Sequence, residues 1–361
     1  MKILCMYLPQ YHTFPENDAW WGEGYTEWTA VRAAKPYDKD QIQPRVPLQG
    51  RYYDLVKEGV ETLTWQASLA DRYGIYGFSF YQYWFCGKQL MERPLKILYD
   101  HPEIPLRYCI CWANETWTRT WYGLADQVLM EQKYGSQADW KAHFDYLLPF
   151  FKDERYIKVN NRPLLQIYRT FDIKDLAAMR DLFDRLAREA GFDGIFLLSG
   201  KTAGIEETRK ETVDGYYYFE PGYSLKHGLK PHQVFSYNVS VLLRTIRNRI
   251  FKKKVLERRI PANWLYRAIA ERTYGPGEYP GLFPNWDNTP RRSYKGLVYT
   301  GTNPERFGEV LRALKEKVRG REDDFVFLNA WNEWGEGAVL EPDEADGYGY
   351  LEAVAKVQGE P

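Results

Sequence analysis

The segment Phe325–Gly337 reads FVFLNAWNEWGEG, in which an unbroken apolar run passes directly into a turn rich in tryptophan, glutamate and glycine. Such a run indicates a strand that is buried on both faces, as in a parallel sheet. Residues three apart on a continuous strand point to opposite faces. Glu333 and Glu336 can therefore share a pocket only if the chain turns between them, and Gly335 and Gly337 make that turn feasible.

Seven further apolar runs precede this one, and most are followed by a stretch with helical periodicity. Strands that alternate with helices predict a parallel sheet with helical crossovers. Eight such units favour closure into a (β/α)8 TIM barrel over an open doubly wound sheet. The predicted strands are Lys2–Tyr11, Gly74–Phe85, Leu106–Glu115, Arg162–Arg169, Gly194–Gly200, Val213–Pro221, the proline- and glycine-rich Gly281–Asp287, and Phe325–Glu333.

Helical periodicity fills the intervals between these strands. Ser136 and Asp346 are predicted N-caps, and Gly74 and Gly191 are predicted to end helices. No linker or fixed-period repeat divides the chain, so residues 1–361 are predicted to form one domain. The predicted helices are Asp54–Tyr73, Lys88–Asp100, Ser136–Phe151, Ile173–Ala190, Thr202–Glu211, Val234–Ile269 with an internal break, Pro304–Val318 and Asp346–Lys356.

The overall charge points to a neutral partner. The 49 basic and 49 acidic residues cancel, so no net charge draws the chain to nucleic acid. No apolar run approaches the ~18 residues of a membrane span, so no integral membrane segment is predicted. The N-terminus, MKILCMYLPQY, lacks the apolar core of a signal peptide and favours a cytoplasmic protein, although a removed leader would leave the same trace. The oligomeric state is left open.

One segment departs from this balance. Between Arg244 and Arg259 there are eight basic residues against Glu257 as the one acid. Such a cluster fits a basic surface for an anionic polysaccharide, a lipid-linked glycan or a membrane face. Because the rest of the chain balances the charge, a solvated helix face is the favoured interpretation. The four cysteines lie in or beside apolar runs and are predicted to be buried free thiols.

Aromatic residues make up 17% of the chain, and the tryptophans collect at the ends of the predicted strands. In a (β/α)8 barrel the active site is built at the C-terminal ends of the strands. Tryptophan and tyrosine combine a flat apolar face with a polar tip, which suits sugars. The clustering predicts an aromatic-walled cleft, with some of the rings packing loops instead. The ten tryptophans at strand ends are Trp20, Trp21, Trp28, Trp84, Trp112, Trp117, Trp121, Trp286, Trp331 and Trp334.

Cleavage of a glycosidic bond needs two carboxyl groups around one anomeric centre. Glu333 and Glu336 are the predicted catalytic pair, and Glu115 in WANE is a candidate to replace either one. No metal-binding or nucleotide-binding motif occurs in its required context, so no metal and no cofactor are predicted. The predicted substrate-binding residues are Tyr11, His12, Trp21, Glu23, Glu27, Trp28, Tyr81, Trp84, Trp112, Asn114, Glu115, Trp117, Trp286, Asp287, Arg291, Asn332 and Trp334.

Four long motifs carry a resemblance to a known family. They are MYLPQYHTFPENDAWWGEGYTEWT at 6–29, WANETW at 112–117, NWDNTPR at 285–291 and FLNAWNEWGEG at 327–337. In this order they resemble the WbsX-type family, which is related to glycoside hydrolase family 99, and the likeness covers essentially the whole chain. Family 99 implies a metal-free (β/α)8 barrel. The resemblance also implies an enzyme that cleaves α-mannosides at internal bonds of the glycan and retains the anomeric configuration.

The resemblance also implies roles for the two glutamates. Glu333 matches the residue that deprotonates the sugar 2-hydroxyl, whose oxygen then attacks the anomeric carbon and gives a 1,2-anhydro sugar. Glu336 matches the general acid that protonates the leaving oxygen and then activates water. The acid should have a raised pKa, while the base must be ionised. Mannose-like and rhamnose-like sugars both place the 2-hydroxyl correctly. The first loop and NWDNTPR depart from family 99 and look like WbsX-type features, so the sugar stays open.

Three functions remain at this point. The first is a hydrolase that acts on a complex glycan or a bacterial surface polysaccharide. The second is a glycosyltransferase or transglycosidase of surface-polysaccharide assembly (O-antigen or capsule), with the same carboxylates and a sugar acceptor in place of water. The third is a non-catalytic glycan-binding barrel. A sugar-nucleotide transferase would usually offer a diphosphate site, and the sequence shows none.

Overall fold

The barrel is built from nine short parallel strands. The computed structural model describes residues 1–118 and 128–360, so Trp121 lies outside the described residues. Every neighbouring pair in the barrel is parallel, which confirms the predicted (β/α)8 class. Along the chain the strands are β1 (Lys2–Tyr7), β2 (Gly77–Phe85), β3 (Tyr108–Trp112), β4 (Arg162–Ile167), β5 (Phe196–Lys201), β6 (Gly215–Tyr218), β7 (Glu278–Tyr279), β8 (Gly281–Leu282) and β9 (Phe325–Leu328).

The seventh position of the barrel is shared by β7 and β8, which flank Pro280. β7 pairs with β6, and β8 pairs with β9. Proline has no N–H to give to a ladder, so the strand is divided there, while the Pro280 carbonyl still accepts from Phe327 N at 2.9 Å. Gly281 is needed for closure because a Cβ at this position would overlap the Tyr218 carbonyl oxygen. The predicted strand Gly281–Asp287 was therefore placed a few residues too late.

The helices within the described residues cover the barrel and its loops. They are α1 (Pro15–Trp21), α2 (Glu27–Ala33), α3 (Gly59–Arg72), α4 (Arg93–Asp100), α5 (Gln137–Lys152), α6 (Leu176–Glu189), α7 (Gly222–His227), α8 (Pro231–Phe251), α9 (Ala262–Glu271), α10 (Thr289–Arg292), α11 (Pro304–Val318) and α12 (Gly349–Gly359). Short strand pairs join Lys88–Leu90 to β2, Lys158–Val159 to β4, Arg258–Pro261 to Leu297–Thr300, Asn332–Glu333 to Ala338–Val339, and Trp117–Thr118 to Val128–Met130.

Several helix predictions are confirmed at their ends. Ser136 begins α5 with a capping box in which Asp139 is the partner. Gly74 and Gly191 follow helix ends with φ of 75° and 96°, in the left-handed range that favours glycine. The predicted break in Val234–Ile269 falls after α8, where Lys252 has a φ of 48°.

Three local predictions are wrong. Lys88 starts a hairpin strand, because Cys86 and Gly87 both have positive φ, and α4 begins at Arg93. Asp346 does not cap a helix; its carboxylate pairs with Arg45 at 3.0 Å, and α12 begins at Gly349.

The segment Thr202–Glu211 is not a helix apart from a 3₁₀ turn that starts at Lys210. The Arg209 guanidinium pairs with Glu207 and donates to the Thr170 and Ile173 carbonyls. These contacts hold the segment in an irregular path against the loop that follows β4.

Aromatic rings and thiols fill the barrel interior. The rings of Tyr7 and Phe80 lie 4.3 Å apart, and those of Tyr217 and Phe327 lie 5.2 Å apart. Cys5, Cys109 and Cys111 are buried free thiols, as predicted, whereas Cys86 is partly exposed. No helix in the described parts of the chain is both long enough and apolar enough to cross a membrane.

Candidate active site

The two predicted catalytic glutamates lie in a tight turn that follows β9. Asn332–Glu333 pairs antiparallel with Ala338–Val339, and a 3₁₀ turn between these strands carries Glu336. Gly337 closes the turn with a φ of 65°, which a glycine adopts without strain. The main chain around the turn is fixed further by Asp287, whose N–H donates to the Glu336 carbonyl at 2.6 Å. This turn brings both carboxyl groups to one side.

Arg291, on α10, holds three carboxylates with one guanidinium. Nη2 contacts Glu333 Oε2 at 3.0 Å, Nη1 contacts Glu336 Oε1 at 2.8 Å, and Nε contacts Glu27 Oε1 at 2.7 Å. Glu27 is fully buried, and the Arg291 and Glu333 side chains are about one-tenth exposed. The planar fork of arginine suits such multidentate pairing. Because both glutamates contact the Nη atoms of one group, their carboxyl groups are close to each other.

Gly335 leaves room for this ion cluster. A Cβ at this position would overlap Glu27 Oε1 and would lie 2.8 Å from Arg291 Nε. The glycine is therefore required for space, in contrast to Gly337, which is required for its backbone conformation.

Gly335→Ala is expected to push Glu27 away from Arg291 and to destabilise the protein by about 1–3 kcal/mol, the usual cost of overpacking. Thermal or urea unfolding measures this loss. Gly359→Ala is the control and should leave stability nearly unchanged, since a Cβ at Gly359 would meet no atom within 4 Å and its φ lies outside the left-handed region. An unchanged melting temperature for Gly335→Ala would contradict the described packing.

Burial raises the pKa of both turn glutamates. For Glu333 burial acts first and the charge of Glu336 adds to it, while Arg291 opposes them, and the pKa rises to about 8. For Glu336 burial again acts first, Arg291 opposes it, and the charge of Glu27 raises the pKa further. Both carboxyl groups therefore hold a proton at higher pH than an exposed glutamate does. The sequence predicted a raised pKa for Glu336 and an ionised Glu333, whereas burial and the charge of Glu336 favour the protonated form of Glu333 up to its pKa of about 8.

The raised pKa of Glu333 makes stability depend on pH. Between the ordinary value near 4.5 and the folded value of about 8, the folded chain holds a proton that the unfolded chain releases. Stability contributed by this proton is thus present at low pH and is lost as the pH rises through this window. The melting temperature of Glu333→Gln minus that of wild type is expected to increase from about pH 5 to about pH 8.5. The exposed control Glu189→Gln should show no such trend, and a flat difference for Glu333→Gln would contradict the assignment.

The glutamates line a cleft of about 330 Å³ at the C-terminal end of the barrel, a size suited to a small ligand. Among the described residues, eight of the 24 that form its walls are aromatic, and Arg292 and Asn288 add polar groups. The indole N–H of Trp286 is buried without a hydrogen-bond partner in the described residues. Eight predicted site residues line the cleft: Trp21, Tyr81, Glu115, Trp117, Trp286, Arg291, Glu333 and Glu336.

Glu115 is the second acidic position in the cleft. Its carboxylate pairs with Arg169 at 3.0 Å, and Asn114 fixes the neighbouring backbone by accepting from Arg169 N at 2.8 Å. Burial raises the pKa of Glu115, and Arg169 opposes that rise. Glu115 therefore has an ion-pair partner of its own and lies outside the cluster that Arg291 holds.

A buried carboxyl group supports the turn from behind. Glu341 accepts from the indole N–H groups of Trp331 and Trp334 at 2.9 and 2.7 Å, and from Tyr53 and Gln66. Burial raises the pKa of Glu341 to about 7, against these hydrogen bonds. Trp331 and Trp334 are therefore fixed inside the protein and orient the turn instead of facing the cleft. No role was predicted for Glu341, because it lies beyond the turn in a short apolar segment.

Other predicted binding residues also support loops. Tyr11 donates to the Asn332 carbonyl, and the Asn332 side chain exchanges hydrogen bonds with the backbone of Leu8 at 2.8 and 3.0 Å. Trp28 donates to the Tyr53 carbonyl at 2.8 Å. These contacts join the end of β1 to the turn after β9.

On the opposite side, Trp84 stacks on His143 with 4.7 Å between ring centroids, and Trp112 donates to the Trp84 carbonyl at 3.2 Å. Asp287 accepts from Gln41 and Thr289 beside a second cavity. None of these three predicted residues lines the cleft.

The two remaining predicted residues, His12 and Glu23, also lie outside the ion cluster and the cleft. His12 is buried with Nδ1 at 3.0 Å from the Thr13 carbonyl, and burial lowers its pKa. Glu23 is exposed on the loop after α1. Glu27 also does not line the cleft, but it completes the cluster through Arg291.

The prediction missed several residues of the cleft wall. Tyr83 follows Tyr81 by two positions on β2, and the period-2 rule for strands would have placed both on one face. Tyr299 lies on the strand Leu297–Thr300, which was not predicted. The other lining residues that were missed are Leu8, Gln10, Ala113, Thr118, Leu129, Tyr168, Ala203, Phe219, Pro221, Gly222, Leu225, Asn288, Arg292 and Leu297.

Within residues 1–118 and 128–360, no group of three or more histidine, cysteine or acidic side chains has the arrangement of a metal site. The acidic cluster instead has Arg291 as its cation.

Fold and cleft together define a (β/α)8-barrel protein with paired carboxyl groups in a cleft at the C-terminal ends of its strands. The chain matches the family described as Glycosyltransferase WbsX over residues 3–354, and it belongs to that family. It is 35% identical over 355 residues to an uncharacterized protein, WxcX, of Xanthomonas campestris pv. campestris, a match that covers 97% of this chain and 48% of the relative. The chain thus spans about half the length of the curated relatives it matches.

Among solved structures, the chain is similar to the GH99 endo-α-mannosidase from Bacteroides thetaiotaomicron, with a TM-score of 0.57 and 13% identity. That match covers 99% of this chain and 96% of the other. A glycoside hydrolase-like protein has a TM-score of 0.58 at 12% identity and covers 99% of this chain and 93% of its own. At such identities the likeness shows the fold.

Proposed function

We propose that the chain is a glycoside hydrolase that cleaves within a complex glycan or a bacterial surface polysaccharide. The observation that carries the proposal is the pair Glu333 and Glu336, held by Arg291 at 3.0 and 2.8 Å inside an aromatic cleft. Two carboxyl groups at one anomeric centre are what glycosidic cleavage requires. Membership in a glycan-related family and a fold shared with an endo-α-mannosidase support the same class of substrate.

In this proposal Glu333 removes the proton of the sugar 2-hydroxyl, and Glu336 protonates the leaving oxygen. The raised pKa of Glu336 suits a general acid, because burial favours the protonated form that donates to the leaving oxygen. Glu333 acts as base in its ionised form, which the Arg291 charge stabilises. Because burial raises its pKa to about 8, this form increases as the pH approaches 8, and the rate of hydrolysis should increase with it.

Mannose-like or rhamnose-like sugars fit, since their 2-hydroxyl is trans to the leaving group. In the second step Glu336 takes a proton from a water molecule, and the water oxygen attacks the anomeric carbon from the face opposite the C1–O2 bond. That bond breaks, Glu333 returns its proton to O2, and the two inversions give net retention.

The second candidate is transfer to a sugar acceptor. The description of the matched family as a glycosyltransferase favours it. The same two carboxyl groups serve both reactions, because an acceptor hydroxyl takes the place of water in the second step. A reaction of this kind consumes one glycan and extends another.

The proposal is tested by incubating the wild-type chain with a panel of glycans, and separately with sugar nucleotides and acceptors. Hydrolysis predicts new reducing ends from a glycan and no consumption of a sugar nucleotide. Growth of an acceptor at the expense of a sugar nucleotide, or at the expense of another glycan without new reducing ends, would overturn hydrolysis in favour of transfer. If the wild-type chain binds a glycan but turns over neither a glycan nor a sugar nucleotide, the proposal is wrong and the chain is a non-catalytic glycan-binding barrel.

A further inference from the structure

The long helix α8 presents an apolar stripe to solvent. Large apolar side chains recur along it at the three- and four-residue spacing of one helix face. Among them Phe235 is 72% exposed and Ile250 is 67% exposed. Exposed apolar patches of this kind mark interaction sites in soluble proteins. The stripe consists of Phe235, Val239, Leu242, Leu243, Ile246 and Ile250, and Phe251 extends it at the helix end.

The opposite face of α8 fixes the helix to the protein. Arg244 pairs with Asp38 at 3.1 Å and donates to the Leu256 carbonyl at 2.8 Å. Asn248 is buried and exchanges hydrogen bonds with the backbone of Val255 at 2.7 and 2.9 Å. The stripe therefore points away from the barrel because the other face is occupied.

Basic residues collect at the C-terminal end of the stripe. The segment from Pro231 to Lys254 contains six lysines and arginines and no acidic residue. Five of the six are exposed and make no ion pair with any described residue, whereas Arg244 is paired with Asp38. The five are Arg247, Arg249, Lys252, Lys253 and Lys254. The solvated-face interpretation of the sequence explains these charges but leaves the adjacent apolar stripe unexplained.

We infer that α8 is an interfacial helix that docks the protein on an anionic membrane surface. An amphipathic helix with an apolar face and flanking lysines and arginines binds the boundary between headgroups and acyl chains, where apolar burial and attraction to anionic lipid act together. A second copy of the chain is a poorer occupant, because the segment from Pro231 to Lys254 has no acidic residue that could pair with the basic end of the other copy, whether the two helices run parallel or antiparallel.

The position of α8 connects this surface to the cleft end of the barrel. α7, which precedes it, contributes Gly222 and Leu225 to the cleft wall. The strand that follows it, Arg258–Pro261, pairs with Leu297–Thr300, which also contributes to the wall. The helix is thus an insertion after β6 on the side where the cleft is built.

The test is co-sedimentation of the chain with vesicles of phosphatidylcholine alone or mixed with phosphatidylglycerol, at low and high salt. Binding to the mixed vesicles that weakens with salt is expected. Each basic residue near an anionic surface contributes about fivefold in binding, so Lys252→Glu/Lys253→Glu/Lys254→Glu should lower the partition coefficient about 100-fold or more. Leu242→Ser/Leu243→Ser should also lose binding, whereas Ile205→Ser, exposed elsewhere, should not.

All substituted side chains are exposed, so melting temperatures should stay near that of the wild type. Equal binding of wild type and both variants, or no binding of wild type to mixed vesicles, would overturn the inference. So would a concentration-dependent dimer that is lost in Leu242→Ser/Leu243→Ser without vesicle binding, because the stripe would then be a self-association surface.

Discussion

Arg291→Met is expected to lower the free energy of unfolding by about 3–5 kcal/mol, the cost of leaving a buried charge without its partner. The reason is Glu27, which is fully buried and whose carboxylate contacts Arg291 Nε at 2.7 Å. The same change removes the cation that opposes the rise in the pKa of Glu333 and Glu336. Urea unfolding of the variant and the wild type at one pH measures the loss.

Two further variants make this prediction specific. Glu27→Gln/Arg291→Met should recover part of the lost stability, because the buried charge is gone together with its partner. Arg185→Met is the matched control, since Arg185 pairs with Glu189 at 3.3 Å on the exposed face of α6 and such pairs contribute about 0–1 kcal/mol. If Arg291→Met lowers the free energy of unfolding no more than Arg185→Met does, the result would contradict the described cluster of Arg291 with Glu27, Glu333 and Glu336.

Glu333→Gln and Glu336→Gln are each expected to lower kcat on a cleaved glycan by about 10²–10⁴-fold, the range for loss of a positioned acid or base. The amide keeps the shape of the side chain but can neither take the proton from the sugar hydroxyl nor deliver one to the leaving oxygen. Glutamine at position 333 also removes a carboxyl group whose ionisation is made unfavourable by burial, so the fold should persist. Initial rates with folding verified by circular dichroism give the comparison.

Controls separate this effect from general damage. Glu189→Gln, on the outer helix α6, should retain wild-type rates. Glu115→Gln tests the competing acid: it should lower substrate binding more than kcat if Glu115 only contacts the glycan. If Glu115→Gln lowers kcat as much as Glu333→Gln does, and Glu336→Gln remains active, then Glu115 after β3 is a catalytic residue and Glu336 is not.

The barrel was predictable because its strands are buried on both faces. Every residue of β2 is buried, so the run Gly77–Phe85 stands out from its amphipathic neighbours. The same uniformity hid which side chains face the cleft, since β2 offers no polar alternation to separate inner from outer positions. The strand at the seventh position of the barrel could not be placed from the sequence. Pro280 divides it into β7, which pairs with β6, and β8, which pairs with β9, and these pairings are set only in the folded barrel.

The turn after β9 that carries Glu333 and Glu336 was predictable from the sequence, whereas much of the cleft around it was not. The spacing of Glu333 and Glu336 with glycines between and after them pointed to convergence, and Arg291 was among the predicted residues. The sequence could not show that Glu27 is held by the same guanidinium, because 264 residues separate it from Arg291. Nor could it distinguish tryptophans that wall the cleft, such as Trp286, from those that brace loops, such as Trp334, since both follow strand ends.

A crystal structure of Glu336→Gln with a glycan that the wild type cleaves shows whether Glu333 and Glu336 act on the same anomeric carbon. We expect a sugar in the cleft with its 2-hydroxyl at hydrogen-bond distance from the Glu333 carboxylate and its leaving oxygen at residue 336. A glycan seated with its anomeric carbon beside Glu115, or outside the cleft, would contradict this expectation.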